Sequence, residues 1–391
     1  MSIIRYGPKW RAQRRLAHAF FHEGASKQYL DIQTAANLAL LRALLESPCK
    51  FMHHVRTITA KSILAAAYGI DVSAEDDPWV KLADDAMRSI TAAGLPGRYA
   101  VEWLPVLKYL PAWFPGGSFQ RMAHESRKLS ERVLYEPLEF QQRAGKAGPS
   151  MAGSLLQNGL EGHLVPEDLI AQSTAVIYLG GSDTTVSVVT SFILCMVLHP
   201  ETQAAAQAEL DRVLGGRLPE FADRDTLPYV NAILLEVIRL YPVLPLGVPH
   251  RVMEDDEYGG MRIPKGTTIF PNVWAILRDE TLFENPEAFM PERFLNPEKK
   301  VLDPRGPLFG FGRRVCVGRH FADNSAWLAV ATVLACFRIS RANDENGKDI
   351  IPNGEFVSGS ITCLKPFQCE IAPRSEKARR LIVEETELDK Y

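Results

Sequence analysis

Cys316 lies in the run Phe309-Gly310-Phe311-Gly312-Arg313-Arg314-Val315-Cys316-Val317-Gly318. A cysteine where a loop gives way to a helix receives the positive end of the helix dipole and unpaired backbone N–H groups. Both favour the thiolate, the form that ligates metal. Gly312 and Gly318 remove side chains where the backbone turns sharply or meets a flat ligand closely. Phe309 can shield the sulfur from water, and Arg314 offers a fixed cation to a nearby carboxylate. The plain alternative is a buried cysteine beside a glycine-rich turn. By average residue frequencies, F-x-x-G-x-R-x-C-x-G turns up by chance in roughly one chain of this size in ten thousand.

Other residues carry weaker signals. Glu236 and Arg239 are spaced i, i+3 and share one helix face. An exposed ion pair is the default for such spacing, but Leu234, Leu235, Val237, Ile238 and Leu240 surround this one. At least part of it is therefore expected to be buried and to need a further partner. Gly180-Gly181-Ser182-Asp183-Thr184-Thr185 interrupts an apolar stretch, 174–198, and on its own reads as a kinked, Thr-rich core helix. Two mid-helix glycines cost about 1 kcal/mol each against alanine, so something must offset them. Trp10 and Arg14 stand one helical turn apart on a basic segment that also reads as a solvated face. His18 and His22 have the spacing of a metal pair, but no third ligand is evident, which makes the spacing a coincidence.

The 391 residues fit one large domain or two fused ones. With 46% hydrophobic and 23% charged residues and a net charge of −3, the chain is globular and has no basic excess for nucleic acid. Six scattered cysteines without a C-x-x-C give neither a zinc site nor a disulfide scaffold, and most are expected to be buried free thiols. The N-terminus lacks the apolar core of a signal peptide.

Helices are expected over 10–21, 38–45, 55–68, 118–142, 166–198, 201–214, 227–240 and from about Cys316 to Phe337. Prolines break the aromatic segment 95–117. Gly, Ala and Ser make 144–162 a surface loop. Residues 261–264 and 267–270 read as a hairpin across Lys265-Gly266, and 374–391 as a charged tail that frays. The pattern is mainly α with a small, late β part, an α+β class.

The cysteine run resembles the haem-ligating loop of the cytochrome P-450 superfamily, and the other motifs follow in that family's order. Gly180 to Thr185 is similar to its A/G-G-x-D/E-T-T segment, Glu236-x-x-Arg239 to its E-x-x-R, Pro291-Glu292-Arg293-Phe294 to the motif that completes that network, and Trp10-Arg11-x-x-Arg14 to its W-R-x-x-R. The resemblance spans 6–373 and implies one haem-binding monooxygenase domain, with 374–391 outside it. It implies a Cys316 thiolate as proximal ligand of haem b, with Trp10, Arg14, His250 (or Arg251), Phe309, Gly312, Arg314 and Gly318 around the cofactor. Close approach of the flat cofactor and O2 would account for the two glycines, and Asp183 with Thr184 would form an acid–hydroxyl proton relay. Glu236, Arg239 and Arg293 become a structural clamp, and Val176, Ile177, Val243, Leu244, Leu246, Val357 and Ser358 line the substrate pocket. Segment 95–117 resembles the family's cover over that pocket, the part that touches the membrane.

By the same resemblance the reaction inserts one oxygen atom from O2 into a small apolar substrate, with electrons from NADPH through cytochrome P-450 reductase, which would dock near Arg313 and Arg319. The chain looks like fungal secondary-metabolism members, the O-methylsterigmatocystin oxidoreductase-like group, acting on a terpenoid, aromatic or polyketide compound. A monomer on the cytosolic face of the endoplasmic reticulum is implied. Family members carry an anchor, first helices and most of a β-lobe before the W-R-x-x-R element, which here begins at residue 10; the expectation is an N-terminally truncated form. Two other classes stay open: an inactive haem-binding remnant, and a membrane-spanning interaction protein using 174–198.

Overall fold

Helices dominate the computed structural model up to residue 240, and short strands enter only afterwards. Residues 1–388 are described, apart from 2, 73–76, 94–96, 115, 146–149, 297, 358 and 360. In chain order come α1 (Pro8–Phe21), α2 (Glu23–Ser26), α3 (Leu30–Glu46), α4 (Phe51–Tyr68), α5 (Pro78–Ala93), α6 (Ala100–Trp103), α7 (Ser118–Ala144), α8 (Met151–Asn158), α9 (Glu167–Leu198), α10 (Pro200–Leu214) and α11 (Pro228–Leu240). Then follow β1 (His250–Arg251), β2 (Asp256–Tyr258), β3 (Met261–Ile263), β4 (Thr268–Ile269), α12 (Val273–Ile276), α13 (Arg305–Phe309), α14 (Arg319–Cys336) and β5 (Phe337–Asn343). The chain ends with β6 (Asp349–Ile350), β7 (Phe356–Val357), β8 (Cys363–Leu364), β9 (Cys369–Pro373) and α15 (Glu376–Leu388). This is the mainly α class with a small β part that the sequence implies.

Three expectations need correction. The segment 144–162 is not all loop: Ser150 caps α8 by accepting from the Gly153 amide, and Met151, Ala152 and Leu155 are buried. Small residues there serve close packing. The hairpin pairs differently, because Gly259 and Gly260 both have positive φ (56° and 79°) and supply the tight turn joining β2 to β3, while β4 leaves to pair with β1. The end of the chain docks as α15, with Ala378, Ile382 and Thr386 buried beside α3, α14 and β9.

The core has two apolar clusters. One gathers α1, α4, α5, α8 and the first half of α9; the other gathers α3, α10, α11, the body of α14, β5 and the second half of α9. Three helices, α4, α9 and α14, run from one cluster into the other. Between Leu179, packed on the first cluster, and Val186, inside the second, α9 crosses with its polar block. By length and composition α9 could cross a bilayer, but 72% of its most apolar window is buried within the protein. Its apolar faces are taken by α1, α4, α11 and α14, which overturns the spanning-helix alternative.

Glu236, Arg239 and Arg293 form the expected buried cluster. Arg239 donates to both Glu236 oxygens at 2.7 and 2.8 Å, and Arg293 Nε donates to the same oxygens at 3.1 and 3.2 Å. One carboxylate faces two guanidiniums, so the remaining donors need acceptors. Backbone carbonyls of Leu277, Glu284, Asn285, Pro286 and Ala288 provide them, and the Met290 amide donates to Glu236 at 2.8 Å. The cluster thereby ties the irregular 277–293 segment to α11.

Glu236→Ala would leave two guanidiniums buried without a counter-charge. The expected loss is about 3–5 kcal/mol of folding stability, read from urea unfolding, against a change within about 0.5 kcal/mol for breaking the exposed Arg42–Glu46 pair.

Candidate active site

A cavity of about 1150 Å³ lies where the two clusters part. Its walls come from Trp10 and Arg14 of α1, Ile63 of α4, Val176 to Val188 of α9, Leu234 and Ile238 of α11, His250 and Arg251 of β1, and the loop before α14. It exceeds the roughly 300–1,000 Å³ of ordinary ligand pockets, giving room for a large flat group and a second molecule.

Cys316 borders this cavity with its sulfur reachable from inside, and protein surrounds it otherwise. The loop folds back on itself through the Cys316 amide, which donates to the Phe309 carbonyl at 2.7 Å. Gly312 has φ 56° and does not border the cavity, so glycine serves the turn there and makes no close ligand contact. Gly318 borders the cavity, caps α14 and aims its N–H at the sulfur. Burial pushes the Cys316 thiol up, and the Gly318 amide, Arg14 and Arg319 pull it down without cancelling the rise.

Four cationic or titratable side chains expected around a cofactor's carboxylates, Arg14, Arg314, His250 and Arg251, all border the cavity, as does Trp10. Arg14 donates to the Val315 carbonyl at 2.5 Å, tying α1 to the cysteine loop. Arg314 lies over the Trp10 ring at 4.8 Å and donates to the Ile4 carbonyl at 2.9 Å, so its described partners include carbonyls and an aromatic face. Among the described residues no three His, Cys, Asp or Glu side chains could share a metal ion. A metal held by Cys316 would have to bring its other ligands with it, as an iron porphyrin does. The residues fit haem.

The two glycines of α9 do different work. Nothing stands within 4 Å of where a Gly180 side chain would begin, whereas at Gly181 a Cβ would meet Ile63 Cγ1 at 2.6 Å. Gly180 leaves room in the cavity; Gly181 lets α4 close on α9. Both glycines border the cavity. Thr184 also borders the cavity, and its hydroxyl donates to the Gly180 carbonyl at 2.8 Å. Its lone pairs are left as acceptors.

Asp183 is not among the cavity-lining residues. It points toward α4, accepting from Arg56 Nη1 at 2.8 Å, and the same nitrogen donates to Asp84 of α5 at 2.6 Å. Burial holds the Asp183 carboxyl above the usual carboxylate range, with Arg56 opposing and Asp84 adding to the rise. Sequence reasoning missed Arg56 and Asp84. The available signal was an arginine within the apolar run Val55–Tyr68, seven residues before Ile63 and hence near the same helix face.

Val176, Ile177, Val243 and Leu244 line the cavity; Leu246 and Val357, 54% and 51% exposed, do not. After Leu246 the chain turns at Gly247 (φ 58°) against Pro271, which puts Gly247 to Pro249 on the cavity wall. On β7 Phe356 packs its ring at a tilt against Tyr241, so its neighbour Val357 points the other way. Ser358, Leu95, Pro96 and Pro115 lie outside the described residues. The expected cover exposes Trp103, Tyr109 and Trp113, and none of its described residues lines the cavity. Arg313 is exposed and donates to the Tyr6 hydroxyl, while Arg319 is half-buried and donates to the Cys316 carbonyl. Of the six cysteines only Cys195 and Cys336 are fully buried, fewer than expected.

Gly181→Ala is expected to destabilise the protein by about 1–3 kcal/mol through overpacking. Gly180→Ala should leave it as stable or stabilise it by up to about 1 kcal/mol. Urea unfolding of both, and of Gly181→Ala combined with Ile63→Ala, checks this: the pair should cost less than the sum of the singles.

The family model for cytochrome P-450 matches residues 2–364. A cytochrome P-450 monooxygenase of Armillaria gallica is 42% identical over 98% of this chain and 77% of its own length. Tryptamine 4-monooxygenase of Psilocybe cyanescens is 38% identical over 96% of this chain and 76% of its own. Among solved structures, a zebra fish cytochrome P-450 with abiraterone superposes with a TM-score of 0.74 at 26% identity, covering 96% of this chain and 84% of that one.

Proposed function

The chain belongs to the cytochrome P-450 family, whose monooxygenases are oxidoreductases, and from that premise we propose that it hydroxylates a small apolar secondary metabolite through haem held by Cys316. The observation that carries this reading is that one cavity is bordered both by a lone accessible cysteine sulfur and by the glycine-opened, threonine-bearing centre of α9.

Bound through the Cys316 thiolate, haem would supply the redox chemistry, the sulfur donating electron density that favours O–O cleavage. The chain's own residues do the rest. Arg14, Arg314 and His250, with Trp10 beside them, would hold the cofactor's two carboxylates. Phe309 borders the cavity next to the sulfur and limits water there. Gly180 leaves the space in which substrate and O2 meet, and Val176, Ile177, Val243 and Leu244 exclude water from it and orient an apolar substrate. Thr184 rests with its proton on the Gly180 carbonyl and its oxygen free to accept from a cavity ligand; by turning its O–H from that carbonyl it would donate to the reacting side, with Asp183 as the proton source behind it.

The substrate we infer is an aromatic, polyketide or terpenoid secondary metabolite. The apolar lining supports this, as does the relative acting on tryptamine. Electrons would come from NADPH through cytochrome P-450 reductase docking on the face of Arg313 and Arg319. The setting we infer is the cytosolic face of the endoplasmic reticulum, with exposed Trp103, Tyr109 and Trp113 suited to the membrane interface.

The test is a carbon monoxide difference spectrum of the reduced, haem-supplied protein. The expected outcome is a thiolate-type Soret band that Cys316→Ala abolishes. A band of the thiol- or histidine-ligated kind in the unaltered protein overturns the reading in favour of an inactive haem binder.

A further inference from the structure

We infer that Arg56 and Asp84 are positioning residues for Asp183: the guanidinium aims its carboxylate, and Asp84, competing for the same nitrogen, keeps that carboxylate able to hold a proton. The inference rests on the proposed proton-relay role of Asp183 and adds what sets its protonation.

A relay acid must be protonated for part of the time, and one ordinary ion pair would prevent this. An opposite charge at hydrogen-bond distance stabilises the ionised carboxylate and lowers its pKa. Here one Arg56 nitrogen is divided between two carboxylates, 2.6 Å from Asp84 and 2.8 Å from Asp183. Burial does most to raise the affinity of Asp183 for a proton, and Asp84 adds to it by taking the shorter bond and by its own negative charge. The groups facing Asp183 are Arg56 from α4, Asp84 and Arg88 from α5, and Cys363 from β8. Cys363 stays protonated because burial pushes its thiol up, with Asp183 adding to the rise. It therefore brings no charge at neutral pH. Arg88 lowers the proton affinity of Asp183 but is the last of the contributing charges.

The backbone holds this arrangement. Ile63, two helical turns beyond Arg56 on α4, sits against Gly181, so the spacing of α4 and α9 that brings Arg56 to Asp183 is fixed by direct packing. The Asp183 and Asp84 side chains keep 13% and 26% of their exposure, on a face away from the cavity. That residual exposure lets solvent return a proton to Asp183 from the side opposite the cavity.

The two partners should act on Asp183 with opposite signs, which a merely structural role would not produce. Infrared titration of the protonated carboxyl band in the haem-loaded protein, assigned by its loss in Asp183→Asn, reads the effect. Asp84→Asn should lower the pKa of Asp183 by about one unit, and Arg56→Gln should raise it by a similar amount. The acidic limb of the pH profile for oxygen consumption with NADPH and reductase should move the same way. Arg56→Lys, which keeps the charge, covers the case in which Arg56→Gln fails to fold; it should titrate between Arg56→Gln and the unaltered protein. Equal titrations in all variants, or shifts of the same sign, overturn the inference. If the unaltered protein gives no thiolate-type carbon monoxide band, the proposed function fails first; an intact band with an unmoved titration sinks this inference alone.

Discussion

A helix packed on every side leaves no room for a reaction unless its own packing is interrupted, and α9 is interrupted at its centre. The contact of Ile63 with Gly181 sets how closely α4 approaches, and the missing side chain at Gly180 turns the next face into space. Neighbouring glycines with opposed duties give the helix a tight side and an open side at one level. Thr184, one turn after Gly180, shares the open side, whereas Asp183 leaves the cavity wall and meets Arg56. The division between a cavity wall and a polar cluster behind it follows from the angular step of the helix.

The cysteine loop is held with comparable economy. Its fold depends on a left-handed turn at Gly312 and on the bond from the Cys316 amide to Phe309, and Arg14 reaches from α1 to cap it at Val315. Behind it the Glu236 carboxylate gathers two arginines and through them five backbone carbonyls. A segment without regular structure is held in place because its carbonyls take the donors that Arg239 and Arg293 do not spend on Glu236.

Much of this was legible in the sequence. The cysteine run, the E-x-x-R pair and the long apolar helix were readable because each is a local pattern with its own physical reason. What escaped depends on partners distant in the chain. Arg56 gains meaning only when α4 lies on α9, and Val357 misses the cavity because Phe356 finds Tyr241. The docked end, α15, looked like a solvated tail because its charges outnumber the few apolar residues that α3 receives. The β2–β3 turn is legible in the sequence, since Gly259-Gly260 is a stronger hairpin signal than Lys265-Gly266.

Because α4, α9 and α14 each belong to both apolar clusters, loosening either cluster withdraws packing from helices that also build the other. The reactive cavity lies at that seam, so its shape depends on both clusters at once.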